Sequence, residues 1–180
     1  AVAVRMSDGR PVAFPRLEIG ETFFDRTERL TLSRDMEGYS LTSVDGLTWN
    51  FSRVTFDSDE QALIAVHDRA GNIIEFDYDK HGHLEMIHDS AQRKLPVRTD
   101  DRGRILEIRA PHPDEAGQTI TLVAYDYDSH GRLIEARDAL EQPMTYQYDG
   151  FLLSKETDRV GLSFYFEYDG TDHTARCIHT

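Results

Sequence analysis

The chain has 180 residues and a mass of 20.6 kDa, room for one ordinary domain or part of a larger one. Its 33 acidic residues against 20 Lys and Arg give a formal charge of −13, which excludes nucleic acid and anionic membrane as partners for the bulk of the surface. Hydrophobic content of 39% with 10% aromatics supplies a core and excludes disorder, and a single cysteine, Cys177, excludes an internal disulfide and a thiolate zinc site.

The acidic excess is spread along the chain, −4 over residues 1–60 and −9 over residues 61–180. No apolar run approaches the roughly 20 residues of a membrane span, and Ala1 to Gly20 has no basic-then-apolar signal pattern. The missing initiator Met, with a strand-like pattern running to Thr180, predicts an excerpt of a longer polypeptide whose export signal lies elsewhere.

Residues 1–65 are predicted as a non-repeat β lead-in that continues the same sheet as the rest. Alternating runs at Val2-Ala3-Val4-Arg5-Met6, Leu30-Thr31-Leu32, Tyr39-Ser40-Leu41-Thr42 and Leu47-Thr48-Trp49-Asn50-Phe51 read as strands, and Asp8-Gly9 and Asp45-Gly46 as hairpin turns. No Ser/Gly/Pro-rich linker separates this part from residues 66–180.

Residues 66–180 are repetitive, with a period of about 21 residues. Tyr78, Asp79, Gly82, Leu84 and Asp89 align with Tyr127, Asp128, Gly131, Leu133 and Asp138. A degenerate copy carries Asp100 and Gly103, and copies with disturbed turns begin at Tyr148-Asp149 and Tyr168-Asp169. The one long step holds a proline-bearing insertion, Ala110-Pro111-His112-Pro113. An alternating half-unit places Asp, then Gly three positions on, then Tyr-Asp at ten and eleven. Asp68-Gly71 and Asp158-Gly161 fit it, Asp138 fits with Glu141 in the glycine slot, and Asp114-Gly117 fits with an insertion.

Asp followed by Gly at the third position is a type I turn preference, with Asp accepting from backbone N–H groups and Gly taking positive φ. Between turns lie strands such as Ile73-Ile74-Glu75-Phe76-Asp77-Tyr78, in which Phe76 and Tyr78 share one face and Asp77 takes the other. The prediction is an all-β chain, an antiparallel meander of hairpins about ten residues per strand and turn.

These motifs resemble the YD repeat of Rhs proteins, found in bacterial polymorphic toxins, insecticidal toxin complexes and teneurins. The lead-in from Asp8-Gly9-Arg10-Pro11 to Leu32 resembles the segment preceding the repeats in Rhs effectors of the type VI secretion class. The resemblance implies a segment of a spiralling β-sheet shell, a cocoon enclosing a C-terminal toxin or passenger polypeptide. The implied partners are neighbouring repeats of the same polypeptide, the enclosed toxin, and secretion spike or chaperone proteins. The implied location is the bacterial cytoplasm before export, then secretion or delivery to a target cell. The family's self-cleaving Asp-Pro core has no counterpart, because the sequence contains no Asp-Pro dipeptide.

Other chemistry is weakly supported, and no catalytic, cofactor-binding or metal-ligating residue is assigned. Asp77-x-Asp79-x-His81-Gly82 and Asp126-x-Asp128-x-His130-Gly131 imitate a calcium loop, but position 12 holds His88 and Arg137 where a bidentate Glu is required. His81, His83 and His88 flank a turn without metal-ligand spacing. Ser154 and Ser163 lie outside any nucleophile elbow, and Asp57, Asp59 and Glu60 read as an exposed turn. The alternative class is a cell-surface binding or adhesion module that recognises a glycan or protein partner through exposed aromatics such as Tyr125 and Tyr165.

Overall fold

The computed structural model describes residues 1–55 and 59–180, and among them there is no helix. The chain forms two compact units, Ala1–Lys94 and Leu95–Thr180.

The first unit holds β1 (Val2–Arg5), β2 (Pro11–Phe14), β3 (Thr22–Asp25), β4 (Leu30–Arg34), β5 (Gly38–Ser43), β6 (Thr48–Ser52), β7 (Ala62–His67), β8 (Ile73–Tyr78) and β9 (Leu84–His88). Strands β3 to β9 follow one another in chain order without a crossover, each antiparallel to its neighbour. Phe23, Leu32, Leu41, Trp49 and Val66 lie opposite one another across successive strands and make one apolar row.

Strands β1 and β2 depart from the expected continuous sheet. They pair with each other as a separate two-stranded sheet. Val12 and Phe14 alternate with exposed Pro11 and Ala13, so β2 turns one apolar face inward. That face joins Leu17, Leu30, Leu32 and Leu41 in the buried core, with Val4, Met6, Tyr39, Trp49 and Phe51 packed around it. Leu32 is 0% and Leu41 1% exposed. The hairpin is pinned at its turn by Arg10, whose two terminal nitrogens donate to the two Glu28 carboxylate oxygens at 2.7 and 3.0 Å. Local patterning specifies the strands, but the choice between extending a sheet edge and covering a sheet face belongs to tertiary packing.

The second unit begins within β10 (Lys94–Thr99) and continues through β11 (Ile105–Pro111), β12 (Thr119–Tyr127), β13 (Leu133–Asp138), β14 (Pro143–Asp149), β15 (Leu152–Thr157) and β16 (Ser163–Tyr165). It closes with β17 (Glu167–Tyr168) and β18 (Cys177–His179). Strands β10 to β16 again follow chain order, and β17 pairs with β18 apart from them. Val97 and Ala136 are its buried hydrophobics among the described residues. Most of its other apolar side chains are half-buried, held by neighbours on the same sheet face.

Candidate functional site

The repeating unit is the feature on which a function can be built, and its centre is the turn. The same turn closes at Asp68, Asp79, Asp89, Asp100, Asp128, Asp138 and Asp158. At Asp128, the Gly131 N–H donates to the Asp128 carbonyl at 2.9 Å and the Asp128 N–H donates to the Arg132 carbonyl at 3.0 Å. This is a three-residue hairpin loop, a type I turn followed by a left-handed residue. Gly131 supplies that residue with φ 83°. A Cβ there would also lie 2.8 Å from the Arg104 Nη1 atom. Gln92 and Glu141 occupy the equivalent slot at φ 62° and 58° without the freedom of glycine.

At Asp68, Asp89, Asp100 and Asp128 the corner carboxylate is divided between backbone and side chain, while Asp158 accepts from the Val160 and Leu162 N–H groups. Asp128 Oδ1 accepts from the His130 and Arg132 N–H groups, both at 2.9 Å, while Oδ2 accepts from Arg132 Nε at 2.7 Å. The residue four positions after the Asp repeats this role: Arg104 Nε on Asp100 at 2.7 Å, Arg93 Nε on Asp89 at 2.6 Å, and Asn72 Nδ2 on Asp68 at 2.8 Å. The sequence pattern treats this position as free and so misses these partners. The signal that finds them is Arg, His or Asn recurring immediately after the glycine slot.

The donors hold the carboxylates charged. The Arg104 side chain, with help from turn N–H groups, lowers the Asp100 carboxyl to about 2. The Arg132 backbone N–H leads in lowering Asp128, the Arg93 backbone N–H in lowering Asp89, and the Asn72 side chain in lowering Asp68.

The same arginines reach the recurring tyrosines. The Arg104 guanidinium lies 4.7 Å from the Tyr127 ring centre and that of Arg132 lies 4.9 Å from the Tyr148 ring centre. The tyrosine hydroxyls then donate to backbone carbonyls: Tyr78 to Leu63 at 2.7 Å, Tyr127 to Ile105 at 2.9 Å, Tyr148 to Leu133 at 2.7 Å and Tyr168 to Leu153 at 2.9 Å. Each acceptor stands immediately before a register shift. Pairing skips Ile64 in β7, Leu106 in β11, Ile134 in β13 and Ser154 in β15, the extra residue of a β-bulge. The tyrosine hydroxyl therefore bonds the carbonyl beside each of these interruptions of the ladder. Burial raises the phenol pKa of Tyr78, Tyr127 and Tyr148, which keeps the proton on the donor.

Several sequence motifs take other geometries. Leu84 and Leu133 open β9 and β13 after their turns. Asp149 ends β14 paired with Leu152, so its turn is the two-residue Gly150-Phe151. Asp169 closes a wider loop, accepting from the Arg176 N–H at 2.7 Å. Asp114 does not occupy a turn corner: Gln118 N–H donates to the Glu115 carbonyl, and His112 Nδ1 accepts from the Asp114 and Glu115 N–H groups at 3.2 and 3.0 Å. The proline-bearing insertion moves the corner one residue on.

In the calcium-like stretch, Asp79 is spent on its own turn, accepting from the His81 and His83 N–H groups, and Asp77 meets His88 Nε2 across the strand pair at 2.7 Å. Among the described residues, no three His, Cys, Asp or Glu side chains group as metal ligands would. Ser163 hydrogen-bonds Thr157 at 2.9 Å, and Asp59 pairs with Arg53 at 2.7 Å. Asp57 lies outside the described residues. Cys177 is exposed, Tyr125 is half-buried, and Tyr165 is exposed with Lys155 Nζ 5.4 Å from its ring centre.

The teneurin YD-shell family matches residues 50–179. The chain belongs to that family. The YD-shell match takes in the Tyr-Asp turns, the bulged strands and the arginine stacks, and it makes the chain a structural segment of a YD shell. No curated protein matches the chain. Among solved structures, the crystal structure of TcdB2-TccC3-Cdc42 aligns at 13% identity and a TM-score of 0.45, covering 78% of this chain. This chain spans 7% of that one.

Proposed function

We propose that this YD-shell segment is part of the wall of an Rhs-type shell that encloses a C-terminal toxin or other passenger polypeptide in a bacterial secreted effector. Such a protein waits in the bacterial cytoplasm and is exported afterwards, with the type VI route as the expected one. The observation that carries the reading is how the turn and bulge groups of the repeats are satisfied from within the sheet. Corner carboxylates bond turn N–H groups, and tyrosine hydroxyls bond carbonyls beside bulges. Antiparallel neighbours flank β4 to β8 and β11 to β15 on both sides. A wall built this way isolates a passenger by exclusion and calls on no catalytic residue, cofactor or metal.

The test is limited proteolysis of the full-length parent polypeptide. The passenger fragment is expected to survive protease roughly tenfold longer inside the shell than when expressed free, because cleavage then waits for the wall to open. Equal digestion of enclosed and free passenger would overturn the reading. Glycan binding abolished by Tyr165→Ala, with no protected passenger, would favour adhesion instead.

A further inference from the structure

The first unit holds a cavity of about 730 Å³ beside strand β1, within the size range of ligand sites. Residues Val2 to Arg5 of β1 all border it. Side chains of a strand alternate between faces, so consecutive residues touching one cavity present the strand's edge to it. Among the described residues β1 pairs with β2 alone, which leaves that edge's N–H and C=O groups without a strand partner.

The charge of the cavity runs against that of the protein. In a chain of net charge −13, Arg5, Arg16, Arg34 and Arg53 all line this one space against the two carboxylates Asp59 and Glu60. Arg34 donates through Nη1 to the Leu17 carbonyl at 2.6 Å, and Arg53 through Nη2 to Asp59 at 2.7 Å. Arg5 makes only a 3.5 Å contact with the Gly9 carbonyl, and Arg16 has no bonded partner among the described residues. A guanidinium is a planar fork suited to carboxylates.

We propose that this cavity binds an extended acidic polypeptide segment, which adds to β1 as a third strand. Its backbone pairs with the free edge of β1, and its carboxylates engage Arg5 and Arg16. A free edge asks for a peptide backbone, and unpaired guanidiniums ask for carboxylates. An acidic strand is the ligand that supplies both. Five residues of it would span about 17 Å.

The test uses the chain immobilised at low density and a labelled eight-residue peptide alternating Glu and Val. Binding is expected, weakening about tenfold or more in the Arg5→Gln/Arg16→Gln double variant, as loss of charge-assisted bonds predicts. Arg5→Lys/Arg16→Lys should fall between, since charge remains and the fork is lost. Both arginines are exposed, and an unchanged melting curve will show that the variants fold. A peptide N-methylated at alternate amides should lose binding by a similar factor. Equal binding of the N-methylated peptide, complete displacement by millimolar inorganic phosphate, or indifference to the arginine variants would overturn the proposal.

Discussion

At the Asp89, Asp100 and Asp128 turns one carboxylate holds both the backbone and the arginine four residues on, so the residue scale is where pH acts. Asp100 titrates near 2 in the folded chain against 3.8 in the free residue, and Asp68, Asp79, Asp89, Asp128 and Asp138 shift in the same direction. A carboxyl whose folded value is depressed contributes stability fully above its unfolded value and loses it as pH falls towards the folded one. Denaturant midpoints are therefore expected to hold above pH 5 and to drop between about pH 4 and 2, and a flat profile across that window would contradict the turn assignment. The tyrosine clamp makes a separable prediction. Tyr148→Phe keeps the ring under Arg132 and removes only the hydroxyl bond to Leu133, so it should cost about 1 kcal/mol in equilibrium unfolding.

At the scale of elements, much of the fold was legible and the reason is local. Asp with Gly at the third position specifies a turn without reference to the rest of the chain, and strict alternation specifies strands between turns. The partners of the site were not legible, because Tyr127 bonds a carbonyl 22 residues away and Tyr148 one 15 residues away. Those offsets mean nothing until the strand register is known, and the register contains bulges that no composition signal marks. The placement of β1 and β2 over the sheet face was hidden for a related reason: Val12 and Phe14 need a cover in either arrangement. Gly38 is a further element-level constraint, since a Cβ there would sit 1.9 Å from the Phe51 carbonyl oxygen on the neighbouring strand. Gly38→Ala must push β5 from β6, and a loss of roughly 1–3 kcal/mol is expected by thermal denaturation.

At the scale of the whole molecule, the two units are stabilised differently. The first buries Phe14 of its covering hairpin against Leu32 and Leu41, while the second relies on half-buried ladders within one sheet. Amide hydrogen exchange should protect β4 and β5 longest and release β14 to β16 first, and the reverse order would show that the ladders outweigh the core. The chain-order meander of the second unit also sets its response to force. The backbone of each of β10 to β16 pairs only with its chain neighbours, so tension on the C-terminal end loads one strand pair at a time instead of shearing many together. Tyr168 fastened to Leu153 and Tyr148 fastened to Leu133 act as catches spaced one hairpin apart. Such a sheet resists thermal opening from its middle yet unravels from its end in small, cheap steps, as a zip does when drawn by its slider.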